Sequence, residues 1–352
     1  MILLTLILVF LIFASFLELV YSELNAKIIV LLLIGVLLIF VASLRFGDRD
    51  YTSYVEIYED VNPFFSSLQQ KAIHGEPGFI LLNRLCKTIG VGYIGMFFIM
   101  ALSSVSLSLN FFRKNTSLFL IAVLIYFCHV FMLRDMLQIR SGLAASISLY
   151  SFTFIKQRKL LKFLSVIILA SMFHIGVAII ILVYLIYPIF IVENKRIIVL
   201  IIIGFIFGSI LSASLLEFFF TNILYIPGVS LYVGDSENFK SLGLLNPVLL
   251  KSAVLVCLMI YYKQVIGEKV WLFEPLLISL AFSVFWLATF NQFAIFGARL
   301  ATYLSNAEHI LIPALFNTKI NKIFLWFIIV CYCIFMFVSK FETFKDLSYY
   351  FL

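Results

Sequence analysis

Charge is scarce in this sequence. Asp, Glu, Lys and Arg make up 12% of its 352 residues, against 64% hydrophobic residues. Soluble domains carry about 25% charged residues, so a water-soluble globular class is excluded. Paired cysteines are also missing. Cys86, Cys128, Cys257, Cys331 and Cys333 are scattered, mostly through apolar segments and without histidine-rich company. That distribution argues against a disulfide framework and against a zinc site. No G-x-x-x-x-G-K-[ST] phosphate loop is present, and no internal repeat, low-complexity tract or soluble domain is visible. What the chain does have is apolar runs long enough to cross a bilayer, recurring from end to end. The first of them, Met1 to Tyr21, has neither a basic n-region nor a clear small-residue cleavage site, and reads as a retained helix. The expected fold class is an all-α polytopic membrane protein.

Positive charge then sets the topology. The stretch 160–192 is too long for one span, and splitting it at His174 gives about twelve spans. With that split, alternate connections carry Lys27; Arg113 and Lys114; Lys156, Arg158, Lys159 and Lys162; Lys195 and Arg196; Lys263 and Lys269; Lys319 and Lys322. The acids on the same connections are Glu23, Glu193 and Glu268. These connections are expected in the cytoplasm, with both termini outside. The net charge of +7 is therefore topological, and no nucleic-acid partner is expected. Residues 1–352 read as one transmembrane domain with two long outer loops, about 45–92 and 217–245. Short helices are expected in the first loop at about 64–72 and 77–88, the second entered through Pro77.

Against this apolar background, polar residues near the membrane stand out, because burying an ionisable group is costly unless it meets water or a partner. In "RDMLQIRSGLAASISLY" a helix starting at Arg134 would place Arg140 roughly 9 Å below its outer end, facing a wet cavity. Ser141, Gly142, Ala144 and Ala145 would let helices approach closely. His174 is expected at an outer hairpin turn. Arg299 and Tyr303 in "GARLATY" are spaced to share a helix face. Arg140, His174 and Arg299 come from distant parts of the chain to one membrane level, and together they describe an outer anion site. The first loop supplies the acids: Asp48 and Asp50 in "RFGDRDYTSY", then Glu56, Glu59, Asp60 and Glu76. Asp48-Arg49-Asp50 has the form of a metal-binding Asp-x-Asp, but so short a match is weak and it lies away from cytoplasmic nucleotides. No metal is expected. Glu76 in "HGEPGF" suits either a helix N-terminal acid or a general base.

"LRFGDRDYTSY", "GEPGFILLN", "IRSGLAASI", "LASMFH" and "ARLATY" follow one another in the order of the motifs of the EpsG-type polysaccharide polymerases, and the chain resembles a Wzy O-antigen polymerase over about residues 40–310. The resemblance implies an all-helical, GT-C-like architecture shared with O-antigen ligases, in a bacterial inner (plasma) membrane. It implies transfer of a glycan from undecaprenyl diphosphate to the non-reducing end of another lipid-linked repeat unit, on the extracytoplasmic side and without cofactor. The partners it implies are the undecaprenyl-diphosphate-linked oligosaccharide, membrane lipids and a chain-length regulator. Carried onto this sequence, it points to Glu76, Asp50 and His174 for catalysis, the base being Glu76, Asp48 or Asp50. Arg45, Asp48, Tyr51, Arg134, Arg140, Arg299 and Tyr303 are the expected substrate-binding residues. O-antigen ligase and lipid-linked oligosaccharide flippase are the rival functions. A flippase should show charge through the membrane centre and a repeat relationship, and no repeat is found.

Overall fold

A computed structural model describes residues 1–21, 23–66, 75–191, 193–212, 241–345 and 347–349. The chain is mainly helical and membrane-embedded. Among the described residues, four helices are long and apolar enough to cross a bilayer: α1 (Ile2–Val20), α2 (Leu24–Ser43), α5 (Tyr93–Asn115) and α6 (Phe119–Leu137). Between α2 and α5 lie two loop helices, α3 (Tyr51–Asp60) and α4 (Pro77–Thr88). After α6 come α7 (Ile139–Ser148), α8 (Ser151–Gln157), α9 (Leu160–Ser171), α10 (Ile180–Phe190) and α11 (Asn194–Ile210). Then follow α12 (Pro247–Tyr261), α13 (Phe273–Thr289), α14 (Ala294–Ser305), α15 (Glu308–Ala314) and α16 (Lys322–Val338). Large apolar side chains such as Leu32, Leu33 and Phe327 are well exposed, as expected where the solvent is lipid rather than water.

The helices pack as two compact units, one of residues 1–151, 160–178 and 312–352, the other of 152–159 and 179–311. In the first, α5 packs against α2 and α7. Its polar rungs explain why serines punctuate an apolar helix. Ser104 donates to the Asp135 carboxylate, Ser108 and Ser146 share a hydrogen bond of 2.8 Å, and the Asn110 amide donates to the Tyr150 hydroxyl at 2.9 Å. Small residues allow such close approach, and in hydrocarbon each hydroxyl needs a partner. Glu18 on α1, 3% exposed, accepts the N–H groups of Leu120 and Ile121 at 3.1 and 3.0 Å. A carboxylate thus satisfies backbone donors that α6 leaves open at its N-terminus.

Helix α6 alters one expectation. It begins as an α-helix and continues over Phe127–Leu137 as a π-helix, so Arg134 lies inside it rather than at the start of the next span. Arg140 is consequently the second residue of α7, close to that helix's N-terminal end, and not deep below it. The polar residues of this segment are internally satisfied, which lets the helix run on through them. The Tyr126 hydroxyl donates to Asp135 at 2.7 Å, and Arg134 donates to Gln138 at 2.7 Å and to the Ser141 hydroxyl at 2.5 Å. Gly142 is required here, since a Cβ at that position would stand 2.8 Å from both the Arg134 carbonyl oxygen and an Asp135 carboxylate oxygen.

In the second unit, α11 packs against α13, with Gly204 meeting the backbone of Phe285. α13 is tied to α14 by Ser279, which donates to the Leu304 carbonyl at 2.8 Å, and Ser283, which donates to Ala301 at 3.1 Å. α12 starts on an Asn246 cap that accepts from Val248 at 2.9 Å, with Pro247 in the first helical position. The helical run from Ala294 to Ala314 is interrupted between Ser305 and Glu308. Glu308, fully enclosed, pairs there with Lys251 and accepts from Ser252 at 2.8 Å.

In the first loop, the helix expected at 77–88 is observed as α4, whereas α3 was not expected. Residues 64–66 are not helical, and 67–72, the rest of the other expected loop helix, lie outside the described residues. So does 213–240, most of the second long loop. The helix is broken at His174: α9 ends at Ser171 and a 3-10 segment over Ile175–Ile179 precedes α10. A two-residue strand β1 (Arg45–Phe46) pairs antiparallel with β2 (Ser348–Tyr349), Arg45 opposite Tyr349.

Candidate functional site

Helices α3 and α4 form a small outer layer on α5. The Tyr58 hydroxyl donates to the Val91 carbonyl, and Lys87 at the end of α4 donates to the carbonyls of Tyr58 at 3.2 Å and Glu59 at 2.6 Å. Arg84 lies 4.5 Å from the Phe64 ring centroid and donates to the Asn62 carbonyl at 3.2 Å. These contacts fix where α4 begins, and Glu76 stands immediately before it in an extended conformation ahead of Pro77.

Glu76 makes an ion pair with Arg140 of α7. The two side chains are 19% and 23% exposed, enough for a ligand to reach both. The Arg140 guanidinium carbon also sits 5.7 Å from the ring centroids of Tyr54 and Phe79, so an aromatic wall backs the cation. Burial pushes the Tyr54 phenol above its ordinary range, and the neighbouring Arg140 charge draws it back. The third component is the α9 turn. Gly78 donates its N–H to the Met172 carbonyl at 2.8 Å, which seats the start of α4 on the turn two residues before His174. The His174 Nδ1 accepts from the Gly176 N–H at 3.1 Å, placing the proton of the neutral ring on Nε2.

This seating has a testable requirement. A Cβ on Gly78 would lie 2.8 Å from both the Met172 Cβ and carbonyl oxygen, so Gly78→Ala must push α4 and its Glu76 away from the turn. The expected stability loss is about 1–3 kcal/mol. With Glu76 as the general base that the sequence reading expects, turnover should fall further, by roughly 10²-fold, because displacing such a group by about 1 Å suffices for that. Unfolding and activity measured on one preparation check the pairing of effects, and full activity would show that the contact is dispensable.

The other expected residues are placed differently. Arg45 and Asp48 form an ion pair of 3.0 Å with both side chains at 0% exposure. The Arg45 guanidinium lies 5.1 Å from the Phe97 centroid and donates to the Ala42 carbonyl, while Asp48 accepts the Asp50 N–H at 3.2 Å. Burial works against the Arg45 charge and Asp48 sustains it. The pair braces the turn from α2 into α3. Asp50, half-buried, ends that turn directly before α3. Tyr51, half-buried, stacks on Phe97 at 5.5 Å and Tyr54 is 4% exposed, so both rings take part in packing α3 on α5. Arg134 is 5% exposed and held by α7. Arg299 and Tyr303 belong to the second unit, both on α14, Arg299 exposed and Tyr303 1% exposed.

The structure thus brings together Glu76, Arg140 and the turn bearing His174. It adds residues that sequence reading passed over: Glu18, Asp135, Glu308 and Lys251, all engaged in polar contacts within apolar helices. Their signal was simply a charge inside an apolar run.

Comparison with curated proteins and with solved structures finds no match. The profile of the EpsG family, by contrast, matches residues 28–351, nearly the whole length and including every element of this site. A match of that extent, over a membrane-embedded helical chain in which two of the motif residues, Glu76 and Arg140, form one ion pair, means that the chain belongs to the EpsG family.

Proposed function

We propose that the protein is a polysaccharide polymerase that joins lipid-linked repeat units at the outer face of a bacterial inner membrane. The observation that carries this reading is the half-open Glu76–Arg140 pair beside the Met172–His174 turn, in a chain of the EpsG family. The finer architecture, about twelve spans in a GT-C-like arrangement with the basic connections in the cytoplasm, follows from the charge distribution and the resemblance. It puts the pair on the outer side.

In the proposed reaction, an acceptor hydroxyl of one repeat unit attacks the anomeric carbon of a second, which is linked to undecaprenyl diphosphate. A new carbon–oxygen bond forms, the bond to the phosphate oxygen breaks, and Glu76 takes the hydroxyl proton. Arg140 meets the negative charge of the departing diphosphate with a planar, permanently charged fork. His174, with its Nε2 proton, donates to the same phosphate. Asp50 remains the alternative base, nearest the loop mouth. Arg45 and Asp48 hold the loop in shape. A chain-length regulator is the expected protein partner.

The test is the product. Purified protein given a synthetic undecaprenyl-diphosphate repeat unit alone should yield a ladder of lengthening lipid-linked chains. Product formed only when a lipid A core acceptor is added would make the protein a ligase instead.

A further inference from the structure

We infer that the first unit carries a binding site for an anionic phospholipid, in a groove between α2 and α5 on the opposite end from the Glu76–Arg140 pair. The groove encloses a cavity of about 480 Å³ and runs from Ile28 to Ile39 along α2, with Val36 and Ser106 on its walls. At 1.5 Å per residue its length is about 16 Å, half the ~30 Å hydrocarbon core, which suits an acyl chain from a single leaflet. Gly35 and Leu109 form its floor, where the two helices come so close that a Cβ on Gly35 would stand 3.0 Å from a Leu109 methyl.

Charge identifies the occupant. The groove's lining is apolar but for Ser106, Asn110 and Arg113, and Arg113 is its one charged lining residue. Arg113 lies beside Ile28, at the start of α2 and the end of α5, so the cation stands at the groove's end and not in its middle. It is exposed, followed by exposed Lys114, and gives one long hydrogen bond, 3.4 Å, to Asn110. An apolar trough of one-leaflet length ending at a cation, with Lys114 next to it in the chain, matches a molecule with one anionic head and an extended tail. This is the end that the basic connections assign to the cytoplasm, where anionic phospholipid headgroups are at hand.

The test uses purified full-length protein, delipidated in detergent and offered equal amounts of phosphatidylglycerol and phosphatidylcholine with identical acyl chains. Native mass spectrometry should find one phosphatidylglycerol retained in preference. Arg113→Gln should lower that preference about fivefold, the worth of one basic residue at an anionic surface. Ser106→Phe, at an exposed wall position where an added ring meets lipid rather than packed protein, should abolish retention of either lipid and leave thermal unfolding unchanged. Equal retention of the two lipids, or a preference that survives both substitutions, would overturn the site. If undecaprenyl phosphate, added in a third mixture, displaces phosphatidylglycerol at equal concentration, the occupant is a polyprenyl lipid and the assignment fails.

Discussion

Glu76→Gln is expected to lower turnover by roughly 10²-fold or more while lipid-linked substrate still binds. Glutamine keeps the size of the side chain and a carbonyl oxygen that can still accept from Arg140, so the α4–α7 junction should survive. What it removes is the capacity to take a proton as the acceptor hydroxyl attacks. Purified enzyme with a synthetic repeat unit gives both quantities, turnover from chain growth and binding from titration. Arg140→Lys in the same assay should fall on turnover and donor affinity together, because an ammonium keeps the charge and loses the fork. Since the two side chains touch, the double variant should cost less than the product of the single effects. A fully active Glu76→Gln would move proton transfer to Asp50.

The largest effect on stability is expected at Arg45. Replacing it by Ala leaves the Asp48 carboxylate enclosed without its cation, which should cost about 3–5 kcal/mol. Arg45→Met combined with Asp48→Leu should restore most of that loss, since a buried ion pair exchanged for well-packed apolar groups is often neutral. The remainder, about 1 kcal/mol, is the Asp48 hydrogen bond to the Asp50 N–H. Reversible unfolding titrations of the three proteins test this. A double variant that folds and polymerises normally establishes bracing as the role of the pair. One that folds but cannot bind donor would return Arg45 to the substrate-binding set.

The outline of the fold was legible because hydrocarbon imposes it. Span lengths follow from bilayer thickness, and the alternation of basic connections called for a break at His174, where the helix does end. Helix α4 announced itself through Pro77. Other features were hidden for physical reasons. The π-helix over Phe127–Leu137 shares its composition with an ordinary helix, so Arg134 read as a cap when its side chain is in fact satisfied inward by Gln138 and Ser141. Tyr51 and Tyr54 have the chemistry of sugar-binding residues, and only the positions of Phe97 and Phe79 reveal that their rings pack internally. Arg45 and Asp48 looked reactive because a short charged motif says nothing of what will cover it. For Glu76 and Arg140, 64 residues apart, the sequence supplied the chemical types and their common side, and the pairing needed the structure.

The pairing of β1 with β2 has a consequence for the order of events during synthesis. Arg45 and Phe46 emerge early, when α1 and α2 are entering the membrane, yet their strand partner is Ser348–Tyr349. The turn that carries the charged motif therefore waits, its edge open, while the intervening helices are translated and inserted. A contact spanning so much of the chain forms late. The first loop takes its finished form only once Ser348 and Tyr349 have arrived, some three hundred residues after the strand they complete.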